Sequence, residues 1–190
     1  EGIPYDKEIQ AFAMSLYYMI HSLDSSRLVI SNDGWEHCKT DLLTIHNYNH
    51  GGKDEKEKYL RFVRDLSSRE EITKFEMINR FIVNPGFKDE GQPIILSEFG
   101  GVAFKKDTGG KAWGYTTSSS EEEYEADLRR IYAAIQKSSC IQGICYTQLT
   151  DVEQEVNGLM TFDRKFKIDP SLIKEMNDSL EVDGYKKESR

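Results

Sequence analysis

A glutamate stands directly behind a short apolar run in Pro93-Ile94-Ile95-Leu96-Ser97-Glu98-Phe99-Gly100-Gly101. Three aliphatic residues in a row have the composition of a fully buried parallel strand, proline suits only its first position, and the glycine pair lets the backbone turn sharply or approach a ligand. Glu98 is therefore expected at the carboxyl end of a core strand, where (β/α) barrels build their active sites. A carboxylate held there could act as nucleophile or as acid and base; it could equally cap a helix or pair with an arginine.

Three further polar clusters follow apolar runs. Asn32, Asp33 and Trp35 come after 28–30, His46 and Tyr48 after 42–45, and Gln148 and Asp151 after 141–146. Asn32 and Asp33 could bond hydroxyls of a polar ligand, though Asn-Asp-Gly is also a turn. His46 or Tyr48 could donate a hydrogen bond to Glu98. Trp35 and Trp113 offer large rings on which a ligand's apolar face could stack, and either could instead be core. Gln148 and Asp151 are expected near a pocket, with Glu153 and Glu155 holding the loop; an ion pair between these acids and Arg164 is the structural alternative. His46 and His50 with Asp41 or Glu36 lack the spacing of a metal site, so neither metal nor cofactor is expected.

The elements that must carry these residues follow from periodicity. Apolar residues recur every three or four positions through 6–23, with Asp6 as cap, and polar-faced helices are expected at 54–66 and 70–81. Ser120 before three glutamates starts another helix, and Asp169-Pro170 opens a last one through Leu180. Strands are expected at 28–30, 42–45, 94–96 and 141–146, and a Gly-, Thr- and Ser-rich loop at 100–120 holds Trp113 and Tyr115. Alternating strands and helices indicate an α/β fold with a parallel sheet: about four units, half of an eight-stranded barrel, with uncovered sheet edges. Residues 1–180 are read as this domain and 181–190 as a charged tail.

Composition narrows the function classes. The 190 residues include 25 Lys+Arg and 33 Asp+Glu, a net charge of −8, with no basic cluster beyond Lys186-Lys187, so nucleic acid and anionic membranes are not expected partners. No apolar run approaches the length of a membrane span, and the first residues lack the pattern of a signal peptide. The compartment is left open. Cys38, Cys140 and Cys145 are read as buried free thiols.

Four motifs in order then carry a resemblance: Asn32-Asp33-Gly34-Trp35-Glu36, Ile45-His46-Asn47-Tyr48, the run around Glu98, and Tyr146-Thr147-Gln148-Leu149-Thr150-Asp151-Val152-Glu153-Gln154-Glu155, with Asn157 to Lys165 beyond. Together they resemble the carboxyl-terminal half, about strands five to eight, of the catalytic (β/α) barrel in glycoside hydrolase family 2, the β-galactosidase, β-glucuronidase and β-mannosidase group. The resemblance implies a retaining O-glycosyl hydrolase acting on terminal β-linked sugars, β-galactosidase-like by default, with Glu98 as nucleophile. Aligning Gly2-Ile3-Pro4 with the end of the family's acid/base motif puts Glu1 two positions after that glutamate, at the motif's tryptophan site, so the resemblance implies that the acid/base is missing from this chain; an alternative alignment with a shortened loop would give Glu1 that role. The resemblance also implies that this chain alone is inactive and that its partners are a carbohydrate and either the amino-terminal half of a barrel or a second copy covering the sheet edges. A non-catalytic carbohydrate-binding or assembly module and a metal-dependent barrel hydrolase stay open as alternatives.

Overall fold

The computed structural model describes residues 2–104 and 113–180. Glu1, the expected tail at 181–190 and the middle of the expected 100–120 loop lie outside the described residues. In chain order, α1 (Lys7–Leu23) leads through a long ordered segment to β1 (Leu43–His46), then α2 (Lys56–Asp65) and α3 (Arg69–Ile72). Next come β2 (Ile94–Gly100), β3 (Val102–Ala103), β4 (Thr116–Thr117), α4 (Glu121–Ile135), β5 (Ile141–Thr147) and α5 (Pro170–Ser179). The expected caps are in place: the side chains of Asp6, Ser120 and Asp169 accept from N–H groups in the first turns of α1, α4 and α5.

β1, β2 and β5 form one parallel sheet in that spatial order, so each strand lies beside its neighbour in the β/α succession. Alternation sorts their side chains. Leu43, Ile45, Ile94, Leu96 and Phe99 join Phe62 from α2, Leu66 directly after it, Leu128 and Ile131 from α4 and Ile173 from α5 in one core. Burying each such side chain contributes about 1.5–3 kcal/mol, so this face of the sheet is what fixes the strands. Thr44, His46, Ile95 and Ser97 occupy the alternate positions and are left for other work.

Several expectations are corrected. Residues 28–30 form no strand: the Val29 N–H donates to the Asp41 carboxylate at 2.7 Å and its carbonyl accepts from the Asp41 N–H at 2.9 Å, so the groups a ladder would use are taken. The result is a mixed α/β fold with a three-stranded parallel sheet, where the sequence led us to expect a four-strand half barrel. The helix expected at 70–81 stops at Ile72, because Lys74 is extended and Asn79 has a positive φ of 56°. Phe81 and Ile82 instead accept from the N–H groups of Glu36 and His37. β2 runs on through Glu98 to Gly100, and the stretch after it contains the paired strands β3 and β4. All three cysteines are free, but only Cys38 is buried and Cys145 is exposed.

The periodicity of α1 is as expected, yet its apolar stripe is bare. Phe12 is 64% and Leu23 81% exposed, and Ile9, Leu16 and Ile20 are also exposed. What ties the helix down is the Asp41 carboxylate, which accepts from Tyr17 Oη at 2.6 Å and His21 Nε2 at 2.8 Å as well as from Val29.

Candidate active site

His46 and Glu98 end up opposite one another because the β1–β2 register slips. Ile45 pairs with Leu96, but His46 pairs with Glu98, which leaves one extra residue on β2. Such a bulge re-aims side chains. Here it lets Ser97 and Glu98 both reach the groups beside His46 while Phe99 returns to the core.

Around Glu98 two groups converge on the same oxygen. Tyr48 Oη donates to Oε2 at 2.8 Å, and His46 Nδ1 lies 3.2 Å from it. Burial pushes the Tyr48 phenol far above its ordinary range; a hydrogen bond with Thr147 opposes it, and the neighbouring Glu98 carboxylate adds to the rise. The hydroxyl is thus a donor at any working pH. The Glu98 side chain is 37% exposed, so it is open on one side.

The other ring nitrogen of His46 belongs to Asp33. Nε2 lies 2.9 Å from Asp33 Oδ2, and Ser97 Oγ donates to Asp33 Oδ1 at 2.8 Å. Burial pulls the Asp33 carboxyl upward, but hydrogen bonds with His46, Ser97 and Thr44 outweigh it and hold the group below its usual value. Gly34 supplies the room: at φ 86° it lies so close to the imidazole that an added Cβ would sit 2.7 Å from three ring atoms. Trp35 meets the same ring edge-on at 4.9 Å, and the Arg80 guanidinium lies over the indole, 4.8 Å from its centroid. Asn32 closes the turn by donating to the Trp35 carbonyl at 2.6 Å. The Asn32-to-Trp35 segment therefore wraps His46 as well as facing the site.

A strip of aromatic rings borders Glu98. Tyr48 stacks on Tyr115 with centroids 3.8 Å apart and planes 5° from parallel, and Trp113 lies 5.1 Å beyond. Gly101 makes the stack possible, since a Cβ there would fall 2.5 Å from Tyr115 and 3.0 Å from Tyr48. Trp113 is about half exposed and is held by its backbone, donating to the Gln154 carbonyl and accepting from the Val156 N–H. Tyr115 and Ser97 were not singled out from sequence. Ser97 could have been, as the neighbour of Glu98; the stacking of Tyr115 depends on a chain reversal that no local pattern encodes.

The residues beyond β5 divide. Gln148 Nε2 is buried without a hydrogen-bond partner among the described residues. Asp151, expected near a pocket, is instead buried with Lys167, whose Nζ lies 2.7 Å from Asp151 Oδ1 and from the Val156 carbonyl oxygen. The ion pair foreseen with Arg164 is made by Lys167.

The other groups weighed as metal ligands are dispersed. Asp41 serves α1, Glu36 lies near Arg80, and the His50 ring nitrogens face the carbonyls of Gly100 and Gly51 at 2.6 and 3.0 Å. Asp33, His46 and Glu98 bring one polar atom each within 4.8 Å of one another. Each carboxylate faces a different ring nitrogen, Asp33 in a hydrogen bond with Nε2 and Glu98 at 3.2 Å from Nδ1, so no single imidazole lone pair is shared between them.

No protein-family model matches the chain, and no curated protein matches it. Solved structures do. A β-D-glucuronidase from Dictyoglomus thermophilum superposes over 94% of this chain with a TM-score of 0.59 at 18% identity. A GH2 β-galacturonidase from Eisenbergiella tayi covers 97% with TM-score 0.59 at 15% identity, and a Bifidobacterium dentium β-glucuronidase covers 93% with TM-score 0.59 at 20%. The chain spans 28–32% of the length of these proteins. The likeness is one of fold.

Proposed function

We propose that this chain is a portion of a family 2 glycoside hydrolase barrel and that Glu98 is the nucleophile of a retaining mechanism on a terminal β-linked sugar. The observation that carries the reading is the pairing of Tyr48 and His46 on one oxygen of a half-open strand-end carboxylate. The fold likeness to GH2 β-glucuronidases and β-galacturonidases supports it, as does the order of the sequence motifs. The other Glu98 oxygen attacks the anomeric carbon as the bond to the leaving oxygen breaks. Water later displaces the carboxylate from that carbon.

Retaining hydrolysis needs a second carboxyl group, about 5–5.5 Å from the first, to protonate the leaving oxygen. Asp33 is close enough but has the wrong character. A general acid needs an elevated proton affinity, whereas Asp33 accepts hydrogen bonds that hold its carboxyl below the usual value. The acid is therefore assigned to a segment outside the described residues, and the amino-terminal part of a barrel is the partner that would bring it. Trp113, Tyr115 and Gln148 border the sugar site, Trp113 and Tyr115 as a stacking surface and Gln148 through its unpartnered amide. Asn32 and Trp35 contribute chiefly by shaping the wall around His46. A β-galactoside is the default substrate; the uronides named for the similar structures are the competing class.

An activated 2-deoxy-2-fluoro-β-glycoside tests the assignment, because its leaving group departs without protonation. Galactoside and glucuronide forms incubated with the chain should give a covalent adduct that peptide mass spectrometry maps to Glu98, and Glu98→Gln should give none. Saccharide binding without an adduct would favour the binding-module alternative, and loss of activity with a chelator the metal-dependent one. Turnover of an unactivated aryl β-glycoside by the 190-residue chain would overturn the assignment of the acid to another segment.

A further inference from the structure

The four-residue turn that the sequence offers as a sugar-binding segment does something more specific to His46. Asp33 is held below the ordinary carboxylate range, so it is an anion and can only accept; the proton in its 2.9 Å contact with His46 must sit on Nε2. The opposite nitrogen, Nδ1, faces Glu98 Oε2 at 3.2 Å. A neutral ring protonated at Nε2 would set a lone pair against that carboxylate, and only the doubly protonated ring donates in both directions. The ring has little freedom to evade this choice: it is 12% exposed, Gly34 lies against one face and Trp35 meets it edge-on.

We propose that Asp33 and His46 are a positioning pair for Glu98: Asp33, itself fixed by Ser97, holds the imidazole so that Nδ1–H is presented to Oε2, leaving Oε1 as the attacking oxygen. The proposal deepens the glycosidase reading and rests on it for its catalytic consequence, though not for its geometry. Asp33 and His46 thereby move from sugar ligands to groups acting through the nucleophile. Other charged or titratable groups around the ring are Tyr48, bound to the same Oε2, Arg80 over the Trp35 indole, and His37, which contacts the Thr44 carbonyl at 2.9 Å. Burial lowers the proton affinity of His37, which removes it as a competing cation. Apo hydrogen bonds of this kind are often long and tighten when the substrate binds, so 3.2 Å is within reach.

Two measurements on the whole chain test the pair, and they fail separately. In ¹⁵N-histidine NMR at pH 6, His46 should show two exchange-protected ring N–H protons. Asp33→Asn should remove the Nε2–H signal and Glu98→Gln the Nδ1–H signal. In fluoroglycoside labelling, Asp33→Asn and His46→Gln should slow the inactivation step about 10- to 100-fold, the value of one charge-assisted hydrogen bond, while the binding constant for the reagent changes less than about threefold. Ser97→Ala, which leaves the ring untouched, should give the same split at smaller size. A single ring N–H signal, or folded Asp33→Asn and Ser97→Ala variants that label at the parental rate, overturns the pair. Failure of Glu98 to label in every form, with both N–H signals present, refutes the glycosidase reading and leaves the clamp standing.

Discussion

Replacing Lys167 by methionine tests how the loop after β5 is held. The Lys167 ammonium is 2% exposed, and its contacts with Asp151 and the Val156 carbonyl are both 2.7 Å; Asp151 Oδ1 also accepts from the Gly158 N–H at 2.8 Å. Methionine fills the same channel without charge and leaves the Asp151 carboxylate buried with one neutral donor. Breaking a buried pair from one side costs about 3–5 kcal/mol, a large share of the roughly 5–15 kcal/mol that stabilises a domain. Neutralising both ends in Lys167→Met/Asp151→Asn should recover most of that, leaving a loss of about 1–2 kcal/mol for the unmade bonds. Urea unfolding measures the cycle. In a Trp35→Phe background Trp113 becomes the sole tryptophan, and its emission should shift in Lys167→Met, since the backbone of Gln154 and Val156 that holds it is stapled by this pair. The pH dependence has a definite sign. Burial, only partly offset by Asp151, lowers the proton affinity of Lys167, so the unfolded chain binds that proton more tightly. Stability of the parent relative to Lys167→Met should therefore rise as pH climbs from the folded value towards about 10.4. A single variant within about 1 kcal/mol of the parent, or a double variant no better than the single, would refute the reasoning.

Tyr48→Phe keeps the ring stacked on Tyr115 and removes only the donor to Glu98, so the labelling rate should fall about 10- to 100-fold with the melting temperature nearly unchanged; an unaltered rate would remove Tyr48 from the mechanism. Asp41→Asn should cost about 1–3 kcal/mol and expose the amides of α1 to hydrogen exchange ahead of the core. Burial raises the Asp41 carboxyl, but its bonds with Tyr17, Val29 and His21 bring it below the ordinary value. Its contribution is thus complete above pH about 3.9 and is lost as pH falls through the folded value, and the acid limb of the parent's stability curve should flatten in the variant.

Periodicity and caps located α1, α4 and α5 to within a residue or so, because an Asp or Ser before an amphipathic run is read locally. The strands around Leu43, Ile94 and Ile141 were equally legible from their aliphatic runs. What failed was non-local. Leu28-Val29-Ile30 has the composition of a strand, but Asp41 competes for its backbone, and the 70–81 pattern is helical only until Phe81 and Ile82 find partners at Glu36 and His37. The site shows the same division. Glu98, His46 and Tyr48 were named from strand-end positions and do meet. The slip that puts His46 opposite Glu98, the Tyr115 stack and the exchange of Arg164 for Lys167 depend on register and chain reversal, which residue types alone do not specify.

The alternation along β1 and β2 divides two kinds of selection between interleaved positions. Leu43, Ile45, Ile94 and Leu96 answer to packing, while Thr44, His46 and Ser97, one step away on the same strands, do not enter that core. Exchanges at His46 or Ser97 therefore disturb the polar contacts around Glu98 and Asp33, while the aliphatic packing that seats the helices keeps its own partners.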